Sequence, residues 1–506
     1  MNPIPLTSIA IHEEINLLID NKKYDDALDK LDKVINGEIP IEPEFFKVQL
    51  VESYIVIADT LIYYRNRFEQ AKKVISKGIG LLKSLKKIIP EEEVGLKQFH
   101  NSVTARAHEV KYTIELAENT FKKGETLIDY SKIKNIYSIK DSIQKSISLY
   151  RVSLKDNTSE IEEFNIKNNL AVSLGHVGRY LEAMTYYEEN IKKNNNHIKS
   201  SISWADSLLN IVSKYQIKET PSLYYKAAER LEKIYLEPTH DAVIRNTESS
   251  INFCKKRLEE NGFELNKEQI IKNINEEIEY YKNHSELRKF SLDNNVTLSE
   301  HAIYCKCTDA YQDDLLLNSK NNDLNQLLEI IKSEFSFSRF LLFEHKTQSH
   351  PQPNDVLYDS SIKIKTGYSI EYLKMSFKLA YSILDKLGNG IVTFYNLNQD
   401  NFTYFENVFD VYKAQLINEK NISLCALYSL SLDLNKDSGK LRLYKKLRNL
   451  MEHEFTYKII ETKVFFNESN KTISLSELES FTMELLKIVR SAIFSFTFLI
   501  RSEENK

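Results

Sequence analysis

The stretch "KLRNLMEHEF", residues 446–455, sets Arg448 and His453 five residues apart. This pair suits phosphodiester chemistry. A guanidinium can hold two non-bridging oxygens as charge builds on them, and an imidazole, which ordinarily titrates near neutral pH, can take or deliver a proton. On a helix drawn at about 100° per residue from Leu441, the apolar residues Leu443, Tyr444, Leu447, Leu450, Met451, Phe455 and Ile459 fill an arc from about 180° to 360°. Arg448 falls inside that arc at about 340°, and His453 on the opposite face at about 120° beside Arg442, Lys446 and Asn449. A guanidinium at the edge of an apolar stripe costs free energy unless it has a partner. Glu452, four residues on, offers an ordinary intrahelical ion pair worth about 0.2–0.5 kcal/mol. His453 shares its face with cations and an amide, a setting suited to a phosphate.

Other candidates are weaker. His301, Cys305 and Cys307 lie close together in "HAIYCKC", but a zinc site needs a fourth ligand and usually a CxxC knuckle, so partly buried thiols are expected and no metal. His345 and His350 fall in the polar stretch "HKTQSHPQPND" and read as solvated. Arg339 sits in "SEFSFSRFLLFEHK", which reads as a helix packing Phe335, Phe340 and Phe343 with the arginine snorkelling outward. No G-x-S-x-G, Walker-type or G-x-G-x-x-G sequence occurs, which sets aside hydrolases, P-loop enzymes and dinucleotide enzymes. No helix-turn-helix with a basic recognition helix stands out.

The elements that must position these residues are helical. With only 12 glycines and 9 prolines in 506 residues, hairpins and tight glycine loops are scarce, and an all-α fold is expected. The net charge of −4 means that any basic footprint is local. Four cysteines without a CxxC pair make no disulfide framework, and a reducing cytoplasm is expected. The first twenty residues lack the pattern of a signal peptide. The most apolar window, "SAIFSFTFLI" at 491–500, is about half of a membrane span and reads as a buried helix.

Three parts are expected. Residues 1–285 form a succession of amphipathic helices, 286–361 a helical connector with a proline-containing loop, and 362–506 a four-helix bundle. The bundle helices are expected at 369–388, about 403–430, 438–460 and 474–501. In the first part, "DNKKYDD" precedes Ala27, and Gly178 and Tyr180 precede Ala183. Weaker copies centre on Ala71 and Ala227. Small residues at helix crossings with larger apolar ones between them resemble the tetratricopeptide (TPR) pattern, although the spacing here is about 44 rather than 34. Stacked helix pairs of this kind present a curved surface suited to a partner.

The run Arg448-Asn449-Leu450-Met451-Glu452-His453 reads R-N-x-x-x-H, on the third helix of the expected bundle. It resembles the HEPN superfamily (higher eukaryotes and prokaryotes nucleotide-binding), whose motif is an arginine, four to six residues and a histidine, often with a polar residue after the arginine. The resemblance covers roughly residues 290–506 and extends to a bacterial HEPN branch that follows TPR repeats. It implies metal-independent, cofactor-free RNA cleavage, in which a 2′-hydroxyl attacks the adjacent phosphodiester to leave a 2′,3′-cyclic phosphate and a 5′-hydroxyl. Arg448 and His453 would be catalytic, and Asn449 would orient a phosphate or the imidazole. Arg442, Lys445 and Lys446 would bind RNA. A homodimer would bring two motif copies into one cleft. Some HEPN toxins carry a tyrosine two residues after the histidine, where this chain has Phe455, so regulation by modification there is not expected. A protein or small-molecule trigger on the TPR-like surface is the expected control, in phage defence or a stress response. The alternative is a non-catalytic scaffold that binds a protein or nucleotide partner.

Overall fold

The computed structural model describes residues 6–505 apart from 63, 65–66, 91–92, 123–132, 155–159, 194–197, 215–219, 236–240, 261–271, 273–275, 277–278, 307–309, 311, 348–366, 398–403, 436–438, 440, 454–457 and 461–470. The fold is all-α, as the scarcity of glycine predicts. Among the described residues only two three-residue strands interrupt the helices. The chain divides into two compact units, 1–177 with 419–422, and 178–418 with 423–506.

In the first unit the helices are α1 (Leu6–Asp20), α2 (Tyr24–Ile35), α3 (Lys47–Leu61), α4 (Phe68–Leu85), α5 (Val94–Lys122), α6 (Ile143–Ser153) and α7 (Glu160–His176). Helices adjacent in sequence pack on each other, most extensively α3 on α4 and α5 on α6. Ala27, Ala58 and Ala71 are fully buried among Leu31, Tyr54, Leu61 and Leu82, so small side chains sit where helices approach closely. Tyr24 is buried at the start of α2, three residues before the buried Ala27.

The second unit begins with α8 (Tyr180–Lys193), α9 (Ile198–Lys214), α10 (Thr220–Tyr235) and α11 (Asp241–Glu260). Gly178 has φ +84, a left-handed turn conformation that suits glycine, just before α8. Next come α12 (Glu286–Asp293), α13 (Asn322–Thr347), α14 (Tyr368–Phe394), α15 (Phe405–Val411), α16 (Lys413–Leu416), α17 (Ile422–Leu434), α18 (Arg442–His453), β1 (Lys458–Ile460), β2 (Thr472–Ser474) and α19 (Leu475–Glu504). The long helices α13, α14 and α19 pack together. Leu373, Phe377, Ala380, Leu384 and Leu387 of α14 are all fully buried, as their spacing predicts. Helix α19 starts on a serine N-cap: the Ser474 side chain accepts the N–H of Glu477, an acid in the first turn. Its 491–500 window is buried. Among the described residues no helix is long and apolar enough to cross a membrane.

Two expected helices differ. The single helix expected over 403–430 is three pieces, because Tyr412 leaves the helical region (φ −102, ψ 25) and α17 starts only at Ile422, after the polar run Asn418–Asn421. Of the helix expected over 438–460, Arg442–His453 is helical. Lys458–Ile460 instead pairs in parallel with Thr472–Ser474, in keeping with the β-branched pair Ile459 and Ile460. The loop expected over 347–361, together with His350, Cys307 and Phe455, lies outside the described residues from 348 onward, at 307 and at 455.

Candidate active site on helix α18

Helix α18 is anchored by its apolar face. Tyr444 and Leu447 are buried, and the Tyr444 ring packs edge-on against Phe377 of α14 (6.0 Å) and Phe481 of α19 (5.6 Å). One turn beyond Tyr444, that face carries Arg448 against α14. Its side chain is 16% exposed, and its guanidinium lies 5.2 Å from the Tyr381 ring centre. Nη2 is 3.8 Å from an Asp385 carboxylate oxygen, and Nη1 donates to Glu452 Oε2 at 3.3 Å. The arginine at the edge of the apolar arc therefore has two carboxylates as neighbours, Asp385 and Glu452. Asp385 also accepts the backbone N–H of Phe405 at 3.1 Å. Burial pushes the Asp385 carboxyl above its ordinary pKa, while that N–H, Arg448, Lys445 and Lys386 oppose the shift. Burial and the Asp385 charge together raise the Tyr381 phenol.

His453 is the last residue of α18, and its side chain is 71% exposed. Its Nε2 lies 3.7 Å from the same Glu452 Oε2 that accepts from Arg448. One carboxylate oxygen thus stands between the guanidinium and the imidazole. A single chain links the two through Glu452, on the inward and outward sides of one helix.

The other expected residues divide. Arg442 and Asn449 are exposed, and Lys446 is half-buried. Lys445 turns inward: its ammonium pairs with Glu406 of α15, whose carboxylate is buried, and lies 4.8 Å from the Tyr404 ring centre. Burial lowers the Lys445 pKa. Asp385 opposes that shift and Arg448 reinforces it. The basic surface on α18 is therefore carried by Arg442 and Lys446, with Lys445 engaged below it.

The sequence reading did not single out Tyr381, Asp385, Glu406 or Tyr404. A signal existed, since Phe377, Tyr381 and Asp385 are four residues apart on one face of an apolar helix, and a carboxylate there requires a cation. Three buried polar atoms cluster here: Tyr381 Oη, Arg448 Nε and Glu406 Oε2 have no hydrogen-bond partner among the described residues. Unsatisfied buried polarity costs about 1–3 kcal/mol per group, so each of these atoms calls for a compensating partner.

The secondary candidates are structural. His345 is not in a loop but at the end of α13, buried, with Nδ1 2.8 Å from both Oγ and the carbonyl of Ser369 and Nε2 3.0 Å from Glu479. It ties α13, α14 and α19 together. Arg339 does not snorkel. It is buried and donates to both carboxylate oxygens of Asp313 (3.0 and 2.8 Å) and to the Val296 carbonyl (2.8 Å), because a guanidinium among phenylalanines is held by a bidentate partner when one is in reach. His301 shares a hydrogen bond with Tyr304 at 2.9 Å. Among the described residues no three of His, Cys, Asp and Glu gather as metal ligands.

Comparison with known families places this region. Residues 315–503 match the family of LA2681-like HEPN domains. The match takes in α13, α14, α18 and α19, and with them every side chain of the Arg448 site. No curated protein and no solved structure matches the chain.

Proposed function

With a HEPN domain at residues 315–503 as the premise, we propose that the chain is a metal-independent endoribonuclease whose catalytic residues are Arg448 and His453. The observation that carries this reading is the position of the R-N-x-x-x-H run. It ends a helix of the HEPN domain with the arginine held against Asp385 and the imidazole open to solvent. Arg448 steadies the non-bridging phosphate oxygens, and His453 takes the proton of the attacking 2′-hydroxyl or returns one to the leaving 5′-oxygen. The products are a 2′,3′-cyclic phosphate and a 5′-hydroxyl. Asn449 and Arg442, exposed on α18, and Lys446 contact RNA. Lys445 acts from below, through Glu406.

One chain presents the two groups on different sides of α18, so the reading includes a homodimer in which two α18 helices line one cleft. The helical repeats of 1–285 are the control element, sensing a protein or small molecule, in a cytoplasmic bacterial defence or stress system. The test is RNA cleavage by the full chain in EDTA, compared with His453→Ala and Arg448→Ala. Cleavage that survives EDTA and disappears in both variants is expected. A second reading, a non-catalytic scaffold, is favoured by one observation, the neutralising contacts of Glu452 to both residues. It wins if both variants keep full biological activity.

A further inference from the structure

A cleft of about 250 Å³ opens elsewhere in the second unit, between α8, α9, α10 and the segment 292–306. Its charged lining is Lys192, Lys226, Arg230 and Lys306 against Glu188 and Glu229. Glu188 is already engaged: it accepts from Trp204 Nε1 at 3.0 Å and from Asn295 Nδ2 at 2.5 Å. Lys192 and Lys306 are both drawn to Asp293, the first donating to its carbonyl and the second paired with its carboxylate, each at 2.8 Å. A lysine ammonium has three donors, so Lys192 holds others beyond this bond.

Arg230 is the distinctive residue. Its guanidinium lies 5.2 Å from the Trp204 ring centre, half-buried in the cleft wall. Burial lowers its pKa, with Glu188 and Glu229 opposing. Among the described residues no hydrogen bond, and no ion pair within 4 Å, reaches it. A flat cation with five donors, desolvated on one side and unsatisfied on the other, is completed by an anion. With Lys306 paired to Asp293 and Lys226 to Glu229, the charged side chains at the cleft still hold one more positive than negative, an excess suited to a phosphate monoester, which carries about −1.5 to −2. The volume equals roughly eight waters, more than a bare phosphate fills, and Ile191, Leu292 and Ile303 supply an apolar wall for the remainder.

We propose that this cleft binds a phosphate monoester on a compact organic body, gripped by the Arg230 fork with Lys192, Lys226 and Lys306 around it. The site adjoins the HEPN domain. Arg490 of α19 donates to the Thr297 carbonyl at 2.8 Å, and its charge faces Glu188. The proposal stands whether or not the domain cleaves RNA.

Trp204 is the chain's single tryptophan, so its emission reports on the cleft alone. The full chain is titrated with adenosine monophosphate, inorganic phosphate and adenosine, with calorimetry in parallel for variants that alter the emission baseline. The proposal expects saturable binding of the monophosphate, weakened about tenfold or more in both Arg230→Gln and Lys306→Gln at unchanged melting temperature. Phosphate binding as tightly as the nucleotide supports the anion site and assigns it to free phosphate. Three results overturn the proposal: no saturable binding of either phosphate, adenosine binding as tightly as its monophosphate, or undiminished binding in both variants.

Discussion

Arg448→Ala separates a structural from a chemical role, because the contacts that hold this arginine are loose. Its distances to Glu452 and Asp385, 3.3 and 3.8 Å, are longer than the 2.7–2.9 Å of a strong charge-assisted bond. The intrahelical pair contributes about 0.3–0.5 kcal/mol. The cation over Tyr381 adds about 0.5–1 kcal/mol. Asp385 keeps the Phe405 N–H after the substitution, with Lys445 and Lys386 nearby, so no buried carboxylate is left uncompensated. The folding loss should therefore stay near 1–1.5 kcal/mol. Loss of a group that stabilises developing charge costs a further factor of about 10²–10³ in rate. Arg448→Lys keeps the charge without the fork and should fall between. Single-turnover cleavage of a labelled RNA in EDTA, beside thermal melting of the same preparations, reads both quantities. Cleavage by Arg448→Ala within a few-fold of the parent, at comparable stability, would refute the assignment.

Glu109 of α5 gives a pH signature. Burial raises its carboxyl to about 7, against the lowering effects of Arg106 and the Ser173 hydroxyl. The folded state then binds this proton more tightly than the unfolded chain, so stability falls as pH rises from about 4.5 to 7. The stability of Glu109→Gln relative to the parent should rise over that window by up to about 3 kcal/mol, and a flat difference in chemical unfolding at pH 5 and 8 would contradict this. At Gly390 of α14 an added Cβ meets Phe496 Cζ at 2.6 Å and Leu327 Cδ2 at 2.8 Å, whereas at Gly80 of α4 it meets nothing within 4 Å. Gly390→Ala should lose about 1–2 kcal/mol while Gly80→Ala gains about 0.5–1, and melting temperatures that move in the same direction would count against the packing. Arg179 is buried between Glu182 (2.6 Å) and Asp433 (2.7 Å). Arg179→Met removes the cation between two buried carboxylates and should cost about 3–5 kcal/mol in denaturant unfolding, with a loss under 1 kcal/mol refuting a stabilising role for this buried pairing.

What the sequence disclosed follows from periodicity. The helical arc around Tyr444 and Leu447 put Arg448 at the edge of a stripe and His453 away from it, and the structure has one side chain at 16% exposure and the other at 71%. The α14 stripe was legible for the same reason, since burial of one face imposes a 3.6-residue repeat. What was missed depends on contacts between distant segments. Nothing local to "EHK" says that His345 meets Ser369 and Glu479, or that Lys445 turns toward Glu406 rather than solvent. Helix ends were also hard to read. The strand at Lys458–Ile460 is completed by pairing with the distant Thr472–Ser474, which local propensity describes weakly.

The most direct test of the central claim is the chemical nature of the 3′ end left on RNA cut by the full chain in EDTA. The account predicts a 2′,3′-cyclic phosphate, formed by the parent and absent with His453→Ala. A free 3′-hydroxyl, or cleavage that continues unchanged in the His453→Ala chain, would contradict it.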